Sequence, residues 1–142
     1  MTIDSTKEPY NARFDPNKQY EQVLFNPDVP LQASELTELQ SILKHQSSKL
    51  GNVLMVDGDI QDGMGYTISD NNETITIAEG DIYLDGQVRT FNEQSIPFNS
   101  IGTFKVCVAL RKEAITADED SSLMDTTSGV ESYFSYGADR LK

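Results

Sequence analysis

The chain has 142 residues, 23 of them Asp or Glu against 11 Lys or Arg, for a formal net charge of −12 at pH 7. That length fits one domain with an extended arm, and an apolar fraction of 37% is enough to build a core. The charge argues against a phosphate-neutralising surface, so neither nucleic acid nor an anionic membrane is an expected partner.

Residues 1–30 read as an extended arm. Prolines at 9, 16, 27 and 30 disfavour helix at the preceding residue and remove backbone donors. The opening, Met1 to Glu8, is polar and has no apolar stretch of the kind a secretory signal carries, so a soluble chain made in a cytoplasm is expected. The arm nevertheless carries Tyr10, Phe14, Tyr20, Val23, Leu24 and Phe25. Rings and branched chains in an irregular segment are expected to lie along a surface, belonging either to the chain's own domain or to a neighbouring subunit.

Residues 31–51 predict a helix, Leu31 to Leu50, with Gly51 in the place of a left-handed C-cap and Ser34 or Thr37 as cap near the start. Leu36, Leu39, Leu43 and Leu50 recur at alternating steps of three and four if Gln46 fills the missing place. That is an a/d seam of little more than two heptads, widened by Ile42. Two readings stay open: an amphipathic helix packed on its own domain, or a short coiled coil at an oligomer axis with Gln46 as a polar layer.

Residues 52–111 change to the alternating period of strands. Thr74 to Ile77 alternates, and Ile82-Tyr83-Leu84 and Gln87 to Phe91 flank Asp85-Gly86, a strong signal for a two-residue hairpin turn. Phe104, Val106, Val108 and Leu110 point one way while Lys105, Cys107, Ala109 and Arg111 point the other, which predicts a half-buried strand with Cys107 as a buried, inert thiol. The expected class is α+β: an extended arm, one amphipathic helix, then a small antiparallel β-domain. Residues 112–142 begin as an acidic loop, Asp118-Glu119-Asp120, and regain aromatic character at Tyr133, Phe134 and Tyr136. The ending, GADRLK, is expected to continue into further domains of a longer protein.

The sequence holds no complete motif for catalysis, metal binding or phosphate binding. His45, the one histidine, lies off the leucine seam, pairs by no sequence logic with a nucleophile, and reads as a solvated helix-face residue. The single cysteine excludes an internal disulfide and a thiolate metal cluster. Gly63-Met64-Gly65 lacks the third glycine, the preceding strand and the following helix of a phosphate cradle. An EF-hand loop begun at Asp118 places Leu123 where glycine belongs and Gly129 where the bidentate glutamate belongs; one begun at Asp57 fails at Asp62 and Ile68. Asn72-Glu73-Thr74 matches a glycosylation sequon, which carries no weight without a secretory signal. No enzymatic activity, metal or cofactor is expected.

Tyr10 to Asn52, YNARFDPNKQYEQVLFNPDVPLQASELTELQSILKHQSSKLGN, closely resembles the opening of a domain family of bacteriophage tail, tail-fibre and baseplate structural proteins. The matching motifs are R-F-D-P-x-K-x-Y-x-x-V-L-F at Arg13 to Phe25 and P-L-Q-A-x-E-L-x-E-L-Q at Pro30 to Gln40. Gly80 to Val88, Ile115 to Asp120 and Gly137 to Leu141 match as well, while Asn26 to Val29 depart from the family's more basic form. The resemblance implies a virion structural role, assembled in the host cytoplasm, near the N-terminus of a longer protein. It implies a homotrimer, since phage fibres are generally trimers, and no catalytic residue. The residues expected to carry it are Phe14, Tyr20, Leu24 and Phe25 as arm anchors on other virion proteins, and Leu36, Leu39, Leu43 and Leu50 as the oligomer seam. A receptor- or carbohydrate-binding module is the alternative; a polysaccharide hydrolase would need a repetitive β-solenoid that this chain lacks.

Overall fold

The computed structural model describes residues 6–7, 9–69, 71, 73–98, 102–103, 105–130, 133, 135 and 137–142. Met1 to Ser5, Glu8, Asn72, Phe104, Phe134 and Tyr136, on which some of the expectations fall, lie outside them. The architecture is α+β, with one long helix and small antiparallel sheets.

The described part of the arm is irregular except for a 3-10 turn, Pro16–Lys18, whose first amide (Asn17 N–H) donates to the Asp15 carboxylate at 2.9 Å. Gln19 leaves that turn in the left-handed region, at φ 56.

Helix α1 spans Ala33–Leu54. Neither expected cap is used. Glu35 Oε2 accepts from the Gln32 N–H at 3.1 Å, while Thr37 and Ser41 turn their hydroxyls back to donate to the Ala33 and Thr37 carbonyls. At the other end Gly51 is not a cap: the helix runs through it to Leu54, with Met55 as the cap. Glycine inside a helix costs about 1 kcal/mol relative to alanine, and the reason it is present is non-local. A Cβ on Gly51 would overlap the Tyr83 hydroxyl and sit 3.0 Å from two of its ring carbons.

Tyr83 belongs to a bent three-stranded meander. Its strands are broken at the bend into β1 (Ile60–Gly63), β2 (Tyr66–Ile68), β3 (Thr74–Ile77), β4 (Gly80–Leu84), β5 (Gln87–Phe91) and β6 (Gln94–Pro97). β4 pairs with β1 and β5, and β3 pairs with β2 and β6, all antiparallel. The ladder continues through the bend by Met64 N–H to the Glu79 carbonyl at 3.1 Å and Ala78 N–H to the Gly65 carbonyl at 2.8 Å. Gly63 and Met64, both at positive φ, make the corner; this is the role of the Gly63-Met64-Gly65 run. The Asp85-Gly86 turn has φ 53 and 76, as its sequence predicts.

Residues 105–111 correct an expectation. They run without a turn or bend but form no strand, and Cys107 is exposed rather than buried. Alternation reports that a segment has two different faces; it does not supply a backbone partner. Farther on, β7 (Ala114–Ile115) pairs with β8 (Arg140–Leu141), closed by mutual Glu113 and Lys142 backbone bonds at 2.9 and 3.0 Å.

The core is small. Among the described residues the buried apolar side chains are Ile42, Ile82, Tyr83 and Ala117. Ile42 faces the chain's own fold, and full burial of a side chain of this size contributes about 1.5–3 kcal/mol. Three large side chains and one alanine are few for a domain of this length.

Candidate functional site

On a helix, residues seven apart fall within about 20° of one another, whereas neighbours in sequence lie about 100° apart. Ile42 and Leu43 therefore face different directions, and their exposures separate sharply, at 2% and 57%. Leu36, Leu43 and Leu50 share one exposed face, with half-buried Leu39 at its border. Because α1 runs on past Gly51, Val53 takes the next seam position after Leu50 and is also exposed, beside exposed Leu54. The apolar series is thus 36, 39, 43, 50 and 53, with Gln46 as its one polar step. From Leu36 to Leu54 the helix holds one carboxylate, Glu38, against Lys44 and Lys49, within a chain of net charge −12.

The arm divides into a held part and a free part. The Phe14 ring lies 5.4 Å from the His45 ring, so His45 is half-buried under the arm rather than solvated, and Phe14 anchors to its own helix. Tyr10 donates its hydroxyl to Asp139 at 2.7 Å, which holds its proton and raises its pKa. Gln46 Nε2 donates to the Glu21 carbonyl at 3.3 Å. Beyond that point Leu24, Phe25, Val29 and Leu31 are exposed, as is Tyr20 before it. No backbone N–H from Tyr20 to Leu31 has a hydrogen-bond partner among the described residues.

The β4–β5 turn is pinned electrostatically. Lys112 is paired with Asp85, Arg89 lies 3.8 Å from the same carboxylate, and the Asp57 carboxylate accepts from the Asp85 N–H at 2.7 Å. The hydrogen bond from Lys112 lowers the Asp85 pKa, and the charges of Lys44 and Arg89 add to it. Lys44 is itself lowered, first by desolvation and then by the neighbouring Lys112 and Arg89 charges.

The 105–111 segment runs beside β4 and β5. Tyr83 points to α1, so Ile82 and Leu84, one residue on either side, point away from it. They line a hollow of about 460 Å³ together with Phe91, Val108 and Leu110.

The acidic positions serve local turns. Glu119 Oε2 accepts from the Thr116 N–H at 3.0 Å, and Asp120 accepts from the Ser122 N–H and hydroxyl at 3.0 and 2.7 Å, which lowers its pKa.

Among the described residues the exposed large apolar side chains include Tyr20, Leu24 and Phe25 on the arm and Leu36, Leu43, Leu50, Val53 and Leu54 on α1. The sequence pointed to the four leucines and the outer arm residues. It missed Val53, hidden behind Gly51, and the Phe14–His45 contact, which no spacing encodes.

Residues 8–142 match the model of a family described as a domain of unknown function, DUF4815. No curated protein and no solved structure matches the chain.

Proposed function

We propose that this chain, which belongs to the DUF4815 family, is a structural component of a bacteriophage tail, a fibre or baseplate module that works by binding other virion proteins and not by catalysis. The observation that carries the reading is the exposed Leu36, Leu43 and Leu50 stripe on a helix whose other side, at Ile42, already serves its own fold. Apolar groups of that size at heptad spacing are stabilised when identical helices bring them together, and a seam nearly free of carboxylates lets acidic chains approach. Gathered about an axis, three copies would bury the stripe; the arm, with Tyr20, Leu24 and Phe25 exposed, supplies contacts to a neighbouring chain. The tail assignment is supported by the motifs at Arg13 to Phe25 and Pro30 to Gln40, which resemble those of phage tail and fibre proteins.

Light scattering coupled to size exclusion tests the assembly. The expected mass is about three times 15.8 kDa, and a monomer at high micromolar concentration would overturn the trimer. Tail morphogenesis with a chain lacking residues 1–30 tests the location. Loss of incorporation is expected, and normal incorporation would remove the arm's role.

A further inference from the structure

Residues 105–111 have the sequence alternation of a strand and no partner. Val106, Val108 and Leu110 alternate with Cys107, Ala109 and Arg111, and the backbone runs without a turn or bend. Among the described residues no backbone N–H or carbonyl from Lys105 to Lys112 is hydrogen-bonded. Backbone left in this state beside a hollow of about 460 Å³ is a template for strand addition.

The chain contains a second segment in the same condition. Glu21 to Asn26 also runs without a turn or bend, carries exposed Leu24 and Phe25 with half-buried Val23, and is stopped by Pro27, which has no N–H to donate. The two segments are opposite in charge. Lys105 to Lys112 holds three cations and no carboxylate, Arg111 and Lys112 lying beside Glu113 and Asp85 of their own chain, while Gln19 to Leu31 holds Glu21 and Asp28 and no cation.

Within one chain the two are not paired: Glu21 is bound at Gln46 on α1, and among the described residues no backbone hydrogen bond joins Glu21 to Asn26 with Lys105 to Lys112. We propose that Glu21 to Asn26 of one copy adds as a strand to residues 105–111 of a second copy, with Val23 and Phe25, which share one face of such a strand, entering the hollow at Ile82, Leu84 and Phe91. Each copy gives an arm and receives one, a heterologous contact that closes into a ring. The inference rests on the trimer reading and names the arm's partner within it.

Amide hydrogen exchange of the 142-residue chain tests it. Peptides spanning 105–112 should exchange about tenfold or more slowly in the oligomer, and fast after dilution to monomer. In the L24D/F25D double variant that protection should be lost, while the mass by light scattering and the protection of α1 remain. Fast exchange at 105–112 in an intact wild-type oligomer overturns this inference and leaves the seam standing. Slow exchange in the dilute monomer, or slow exchange that survives in the arm variant, overturns it too, by showing another cover. A chain that never assembles takes both readings down.

Discussion

The Tyr83 hydroxyl occupies the place where a side chain on Gly51 would begin, and from there it donates to Asn52 Oδ1 at 2.8 Å. Local and tertiary preferences therefore oppose each other at Gly51. Alanine would gain about 1 kcal/mol in helix propensity, but its Cβ would be forced into a fully buried ring, and overpacking costs about 1–3 kcal/mol. Gly51→Ala should therefore fail to stabilise the protein and is expected to lower its denaturation midpoint. Tyr83→Phe removes the atom in the closest overlap, so the double variant should recover part of the loss. Additive effects in that double-mutant cycle would show that the two sites do not touch.

The same pair shows where the sequence was legible. The Asp85-Gly86 turn could be found because its requirement, positive φ at two adjacent residues, is local. The heptad leucines could be found because they mark one face of one helix. Gly51 reads as a cap in the sequence because its constraint arrives from Tyr83, 32 positions later. The two faces of Lys105 to Arg111 are written in the alternation, but the lack of a partner strand is not. Likewise nothing in the spacing of Phe14 points to His45.

Asp85 sets an acid-side dependence of stability. Its folded pKa is lowered, chiefly by the hydrogen bond from Lys112, below the ordinary value of 3.8. A lowered carboxylate stabilises the fold above its unfolded pKa, and that contribution is lost as pH falls through the folded value. Thermal melts from about pH 5 down to about pH 2 should show the loss. Asp85→Asn tolerates the left-handed φ of 53 and removes only the charge. It should flatten that limb, by no more than about 1 kcal/mol because the group is half exposed and screened. An unchanged acid limb would mean that the pair with Lys112 contributes nothing; Asp120, lowered by Ser122, titrates in the same direction and remains in the variant.

Calcium should leave the melting temperature where it is. The carboxylates of Glu119 and Asp120 already accept from Thr116 and Ser122, and among the described residues no group of three or more acidic, His or Cys side chains converges as a metal site. Millimolar calcium that raised the midpoint by several degrees, reversed by chelator, would reveal a site formed by these turns.

Ile42 and Leu43 are adjacent, of similar size and chemistry, and should give opposite answers. Ile42 is 2% exposed and Leu43 57% exposed. Ile42→Ala removes buried groups from a core that has few, at a cost of about 2–5 kcal/mol. Strand and helix signals should fall together, whatever the protein concentration. Leu43→Ala removes a side chain that touches mainly water in a single chain, so its cost to an isolated monomer should be within about 0.5 kcal/mol. In an assembly the same change empties the central layer of the seam in every copy at once. The Leu43 variant should thus unfold like wild type when both are dilute, and diverge from it as concentration rises and wild type gains stability by association. Chemical denaturation of all three proteins at two concentrations, with mass by light scattering, reads both effects. If Leu43→Ala lowers stability equally at both concentrations, the leucine face is packed within its own chain. If wild type itself shows no concentration dependence, the seam holds no second copy.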